Sequence, residues 1–295
     1  MRRPIIRLSS LQLTNIKNVK KGTIYMPNTV NKILSADKAE ILGIYGQNGS
    51  GKTAIVDALY FLQKVMIGAD LDQSLEDYMD MDSDTAEIFA DFNIFMDDIV
   101  FEIGYRLSLS REEKEVVISR ETLSAAKNEN GIRTNKTVFM DYQRDQANAI
   151  FKPQKRLDEI LEENKEIKTD LIVARKMAEK SNCSYIFGES SREIFCREYK
   201  NGFQQFSVII SSLFEFALKD LFVIRNTHSG VISANFVLPM AFRIENDNIG
   251  AKGDFAVSLT EPILVDEERK NLLETIVEQI NIVSVSYTHL TLPTI

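Results

Sequence analysis

The chain has 295 residues, 44% of them hydrophobic and 26% charged, and a formal net charge of −8 at pH 7. That length holds one large or two modest domains, and the composition is that of a globular protein rather than a fibrous or disordered one. The acidic balance, with a pI near 5.1, argues against a broad basic surface for nucleic acid, which needs clustered cations to displace counterions; it leaves room for a local basic patch. Two cysteines, Cys183 and Cys196, are too few for a disulfide framework and have no metal-ligand spacing. Met1-Arg2-Arg3-Pro4 has no apolar stretch behind it, so it is no signal peptide. The most apolar region, Phe206 to Ile224, is broken by Glu215, Lys219 and Asp220 and is too interrupted to span a bilayer. A soluble, cytoplasmic protein is expected.

In chain order, Ile5 to Ile16 alternates as a strand, with Ile6, Leu8, Leu11, Leu13 and Ile16 apolar. A turn around Lys20-Lys21-Gly22 and a second strand, Thr23 to Met26, complete a predicted hairpin. The short apolar run Ile41-Leu42-Gly43-Ile44-Tyr45 reads as a buried strand of the kind parallel sheets use. Ala54 to Ile67 has helical spacing at Ile55, Leu59, Leu62 and Val65. Asp70 to Asp84 is acidic and reads as a loop with a short helical piece. From Ala86 to Arg120 the period switches to two, giving consecutive antiparallel strands at Ile88–Ile94, Ile99–Leu109 and Glu115–Ser119, with Ser110 to Lys114 as a turn. Thr137 to Tyr142 is a further strand. Lys155 to Lys180 reads as a charged helix, too short for a long coiled coil. Phe203 to Val223 reads as a buried helix. Val231–Ile244 and Phe255–Leu264 read as strands, and Asp266–Ile282 as a helix opened by an acidic first turn.

One segment carries chemistry. Gly46-Gln47-Asn48-Gly49-Ser50-Gly51-Lys52-Thr53 fits G-x-x-x-x-G-K-[ST] at every fixed position. The glycines let the backbone curl so that successive N–H groups form an anion nest, and the following helix adds its positive end. Lys52 is expected to reach the β- and γ-phosphates of ATP, and the Thr53 hydroxyl to ligate Mg²⁺. With glycine near 7% of residues, a chance match in a chain of this length has a probability of about 1%. Gly49-Ser50-Gly51-Lys52-Thr53-Ala54 also fits the looser dinucleotide fingerprint, which does not require the Lys-Thr pair and usually sits on the first strand of a fold. GTP would call for N-K-x-D, which Asn31-Lys32-Ile33-Leu34 and Asn135-Lys136-Thr137-Val138 both fail.

The segment Ile6 to Asn18, with Leu11-Gln12-Leu13-Thr14-Asn15-Ile16-Lys17-Asn18, followed by Ile44-Tyr45-Gly46-Gln47-Asn48-Gly49-Ser50-Gly51-Lys52-Thr53 resembles the start of RecF/SMC-like ATPases. The match is specific over roughly the first 60 residues, is nearest to compact AAA-type or OLD-like bacterial ATPases, and departs at Ile16, where many have Phe. The resemblance implies an α/β P-loop NTPase head of ABC/RecF type, with an antiparallel β subdomain and a helical lobe, working as an ATP-sandwich homodimer. It implies a γ-phosphate-sensing glutamine, with Gln143 the first candidate, also toward Mg²⁺, and Gln154 the second; a solvated glutamine is the other reading of each. Lys17 and Asn18 match the family's first-strand turn and either touch nucleotide or form an exposed turn. DNA repair or phage defence, with a nucleic-acid or defence-protein partner and no membrane, is the implied setting. A transporter's nucleotide-binding subunit, or a nucleotide-binding module without hydrolysis, is the alternative.

Residues 1–150 are expected to form the ATP-binding core and residues 151–284 a helical lobe with further strands. No L-S-x-G signature is present. Ile263-Leu264-Val265-Asp266-Glu267 is a poor Walker B, read as a strand end and a helix start, and His228 reads as a loop histidine. Val285 to Ile295 breaks in composition and resembles a translated sequencing adapter; a terminal strand is the other reading. On the adapter reading the chain is truncated near Ser284, before its Walker B strand, so that the intact protein is an ATPase while this fragment binds nucleotide without hydrolysing it.

Overall fold

A computed structural model describes residues 4–36, 40–71, 73–112, 115–144, 165–197, 204–221 and 223, together with 236–237 and 256–257. The framework is a seven-stranded antiparallel sheet of order β2-β1-β3-β4-β5-β6, with β7 also paired to β5. Its strands are β1 (Ile5–Ile16), β2 (Val19–Tyr25), β3 (Thr85–Met96), β4 (Ile99–Glu112), β5 (Glu115–Glu129), β6 (Ile132–Arg133) and β7 (Thr137–Gln143). A separate two-residue pair joins β8 (Phe236–Val237) to β9 (Ala256–Val257). The helices are the single turn α1 (Pro27–Val30), then α2 (Lys52–Met66), a 3₁₀ segment Gln73–Tyr78, α3 (Lys165–Ser181), α4 (Glu189–Arg197) and α5 (Gln204–Glu215), which runs into a π-helical turn, Phe216–Asp220.

Period-2 patterning puts one face of the sheet into the core. Ala86, Ile88, Ala90, Phe92 and Ile94 of β3 are buried, as are Ile103, Tyr105, Leu107 and Leu109 of β4. Two bulges reset this alternation. Leu8 faces Phe92 while Ser10 faces Asp91, so Ser9 is the extra residue and the buried parity of β1 passes from Ile6 to Leu11 and Leu13. Leu109 faces Ile118 while Ser108 faces Arg120, so Ser119 does the same in β5, passing burial from Ile118 to Glu121 and Leu123. The helices cover the buried face with Phe61, Leu62 and Val65 of α2, Ile167 and Leu171 of α3, and Ile210 and Leu213 of α5 in one continuous cluster. Phe61 stacks on Tyr78 at 4.8 Å and Phe92 meets Phe216 edge-on at 5.8 Å.

Glu121 is fully buried and ties β5 to the segment before α4. It accepts from Tyr105 Oη (2.5 Å), Ser184 Oγ (2.6 Å) and the Tyr185 N–H (2.7 Å). Burial pushes its carboxyl above the usual carboxylate range, and these donors offset only part of that. Burial, followed by the neighbouring Glu121 charge, pushes the Tyr105 hydroxyl up as well.

Several sequence expectations are corrected. The first hairpin turns at Lys17-Asn18, not at Lys20-Lys21-Gly22. Asn15 and Lys17 take left-handed φ values of 53° and 50°, and Gly22 lies inside β2 opposite Leu13. Ile41 to Tyr45 is not a strand. Among the described residues no strand pairs with it, and Ile41 and Tyr45 are 92% and 79% exposed; an apolar run becomes a strand only where a neighbour completes its ladder. The described sheet is accordingly antiparallel. The strands at 88–119 run longer than expected, and in β5 the expected end at Ser119 is a bulge beyond which the strand continues to Glu129. The buried helix ends at Glu215 in a π turn, and α4 was not foreseen. The expected helix at Asp266–Ile282, and most of the expected strands at 231–244 and 255–264, lie outside the described residues.

Glu121→Gln tests the buried carboxyl. Because its folded pKa is raised, the wild-type chain is favoured below the unfolded carboxylate pKa and loses that contribution as pH rises through the folded value. The neutral amide does not titrate. The melting temperature of Glu121→Gln relative to wild type should therefore climb as pH is raised from 4 towards 8, and a falling difference would refute the assignment.

Candidate functional site

The site is built on the end of β1. After Ile16 the chain reverses in a two-residue turn whose backbone is tied to the segment following the 3₁₀ helix. Lys17 N–H donates to Tyr78 O (2.9 Å), Asp80 N–H to Asn15 O (2.9 Å) and Asn15 Nδ2 to Thr85 O (2.9 Å). From this anchored turn two side chains reach the loop and helix that follow. The Lys17 ammonium pairs with the Asp57 carboxylate on α2, whose side chain is 4% exposed, and lies 5.9 Å from the centre of the Tyr78 ring. Asn18 Nδ2 donates to Gly49 O.

The loop curls as its glycines permit. Gly49 and Gly51 take φ of 82° and 90°, conformations that residues with a Cβ rarely adopt. A Cβ on Gly51 would also lie 2.5 Å from Val19 Cγ2, so the β1–β2 hairpin closes against the loop there. Ser50 N–H donates to Gln47 O (3.2 Å), and Lys52 Nζ folds back to Gly46 O (2.8 Å) and Gln47 O (2.7 Å). Gly51 caps α2 without a side-chain acceptor, and the first turn of α2 carries no acidic residue. The leading N–H groups of a 15-residue helix thus open onto the loop with no carboxylate to claim them. An ammonium, a curled backbone and a helix N-terminus converging at one place fit the phosphates of a nucleotide. Gln47, Asn48 and Ser50 stand on the exposed outer turn, and Thr53 is exposed at the start of α2, where its hydroxyl would serve a phosphate-bound Mg²⁺.

Gln143 is not brought to this loop within the chain. It ends β7, and the cross-strand register runs Thr14, Glu87, Ser108, Arg120, Gln143. Four strand steps separate it from β1, roughly 19 Å at ordinary strand spacing. Its side-chain amide nitrogen lies 3.4–3.5 Å from the Asp141 carboxylate, and its backbone carbonyl accepts from Arg175 Nη2 (2.7 Å). Gln154, His228 and the Ile263–Glu267 segment lie outside the described residues. Among those described, no group of three or more His, Cys, Asp or Glu is placed to hold a metal.

Sequence reasoning missed Asp57 and Val19. Asp57 was detectable as a charged residue on the face of α2 that Ala54, Ala58 and Phe61 bury; Val19 follows from the turn position, which the sequence reading placed three residues too late.

Gly51→Ala should weaken nucleotide binding about tenfold or more, since left-handed backbone alone costs a residue with a Cβ about 1–2 kcal/mol. Adding Val19→Ala should restore only the part due to crowding. Full recovery in the double variant, measured by titration with a fluorescent nucleotide, would show that the backbone conformation is immaterial.

Comparison with known proteins gives a family match. A family model described as "AAA domain, putative AbiEii toxin, Type IV TA system" matches residues 41–168, a span that begins before the loop and continues past β7. No curated protein matches the chain. The match and the loop geometry agree that this part of the chain is a P-loop ATPase-like domain.

Proposed function

We propose that residues Gly46–Thr53 bind ATP with Mg²⁺, and that the chain is the nucleotide-binding part of a dimeric ATPase of RecF/SMC-like type acting in phage defence or DNA repair. The observation that carries the first part is the arrangement of Lys52. Its ammonium is turned back over the loop onto Gly46 O and Gln47 O, so that phosphate oxygens there would replace two carbonyl acceptors with charged ones. Lys52 would hold the β- and γ-phosphates, the loop amides and the start of α2 would surround them, and Thr53 would serve the metal. The bound Mg²⁺ would neutralise charge on the phosphates.

The dimer reading is supported by exposure. Gly46 to Ser50 and Thr53 are exposed, and a hydrolytic site must exclude bulk water; a facing second copy supplies the missing wall. In this reading residues 1–150 provide the cradle and residues 151–284 the lobe beside it. The defence setting draws on the toxin–antitoxin description carried by the matching family. Among the described residues, no helix is long and apolar enough to cross a membrane.

Two substitutions separate the roles. Lys52→Ala removes charge-assisted bonds to two phosphates, each worth about 1.5–3 kcal/mol, so affinity should fall about a hundredfold or more. Unchanged affinity in a calorimetric titration of ATP would sink the phosphate-cradle reading. Thr53→Ala should leave affinity in EDTA nearly as it is in the wild type and abolish most of the gain that added Mg²⁺ gives. An intact Mg²⁺ gain would remove Thr53 from the metal's surroundings.

A further inference from the structure

α2 ends in a joint that the phosphate cradle does not require. Gln63, eleven residues after Lys52 on the same helix, is 3% exposed. Its side-chain amide donates to Ala217 O (2.8 Å) and Leu221 O (2.6 Å), at either end of the π-helical turn Phe216–Asp220. Within that turn the Leu221 N–H reaches back five residues to Phe216 O (2.8 Å). In an α-helix the same N–H would reach back four residues, to Ala217 O. That is the carbonyl Gln63 occupies.

Gln63 therefore occupies one of the two lone pairs of Ala217 O and, through its second bond to Leu221 O, favours the wider winding of the turn. The assignment of its nitrogen is fixed chemically, because the oxygen in the same place would face two carbonyls. The Gln63 Oε1 atom is buried with no partner among the described residues, a cost of about 1–3 kcal/mol that the arrangement carries. At its other end the turn is seated on the sheet by the Phe216–Phe92 contact. A change of winding must then be taken up from Leu221 onward.

We propose that Gln63 couples the nucleotide loop to a two-register switch at residues 216–221. Movement of α2 when its N-terminus closes on phosphates withdraws the Gln63 amide, frees Ala217 O, and lets the Leu221 N–H change acceptor from Phe216 O to Ala217 O. The helix transmits the displacement as a rigid element over about 17 Å, the length of eleven residues at 1.5 Å each. This rests on the ATP-binding reading above.

The test is amide hydrogen exchange of the full chain with and without Mg²⁺ and the non-hydrolysable analogue AMP-PNP, with affinity measured in parallel by calorimetry. In the wild type, nucleotide should raise exchange at 217–221, because the turn loses the two bonds from the Gln63 amide to Ala217 O and Leu221 O; a change of roughly fivefold is what a typical coupling free energy allows. Gln63→Leu, which keeps the bulk and loses the donor, should bind AMP-PNP more tightly than wild type, because binding no longer has to break the Gln63 bonds, and show no nucleotide-dependent change at 217–221. Gln63→Met, unbranched and adaptable, serves if the leucine variant is poorly folded. Wild-type binding without an exchange response, or a response that survives in the Gln63 variants, overturns the coupling alone. Absence of wild-type binding overturns the nucleotide reading and the coupling with it.

Discussion

The ion pair between Lys17 and Asp57 joins the end of β1 to α2, and the loop lies between the two. The Asp57 side chain is nearly sealed from solvent while Lys17 is partly exposed, so the ammonium beside it offsets part of the cost of burying the carboxylate. Lys17 can serve because its backbone is left-handed, which makes the reversal tight enough to bring Asn18 to Gly49 O and Val19 against Gly51. The sheet supplies a rigid support, the turn converts it into three points of attachment, and the loop takes its curl from glycine conformations those attachments accept. Precision at the phosphate cradle thus comes from neighbours that are not in the motif.

α2 carries two buried polar residues on its apolar face, Asp57 near the start and Gln63 near the end. Each is hydrogen-bonded to a different part of the molecule, the first to the β1–β2 turn and the second to the close of α5. Aliphatic side chains at these places would pack without a directional bond to either neighbour. Directional bonds at both ends tie the helix to two separate parts of the molecule, which gives a small displacement at the loop a defined consequence at the far end.

The sequence was most informative where one local rule decides the outcome. The alternation of Ile88, Ala90, Phe92 and Ile94 placed β3, the spacing of α2 placed the helix, and the fixed positions of Gly46–Thr53 placed the loop. It was least informative where a partner distant in the chain decides. Ile41-Leu42-Gly43-Ile44-Tyr45 has strand composition, yet a strand exists only through its ladder. Gln143 follows a real strand, β7, but its distance from the loop depends on the order of the strands between, which periodicity does not encode. Bulges at Ser9 and Ser119 mimic strand ends in a pattern search, because one extra residue reverses the alternation. Some signals were present and unread: Asn130-Gly131, with φ of 52° and 81°, forms the reversal from β5 to β6 that such a pair favours, and Gly188-Glu189 marks the start of α4.

The exposed run before the loop bears on how the protein behaves in a tube. Ile41, Leu42 and Tyr45 present apolar side chains beside backbone able to accept a strand, with no charge between Ile41 and Lys52. A short, β-prone, uncharged segment in that condition is a template for adhesion between copies. The net charge of −8 keeps molecules apart at low ionic strength, and that protection fades as salt shortens the Debye length from about 30 Å at 0.01 M to about 3 Å at 1 M. Salt therefore removes the repulsion that keeps this run from meeting its counterpart on another copy, while the buried core it leaves untouched is held by contacts that do not depend on charge.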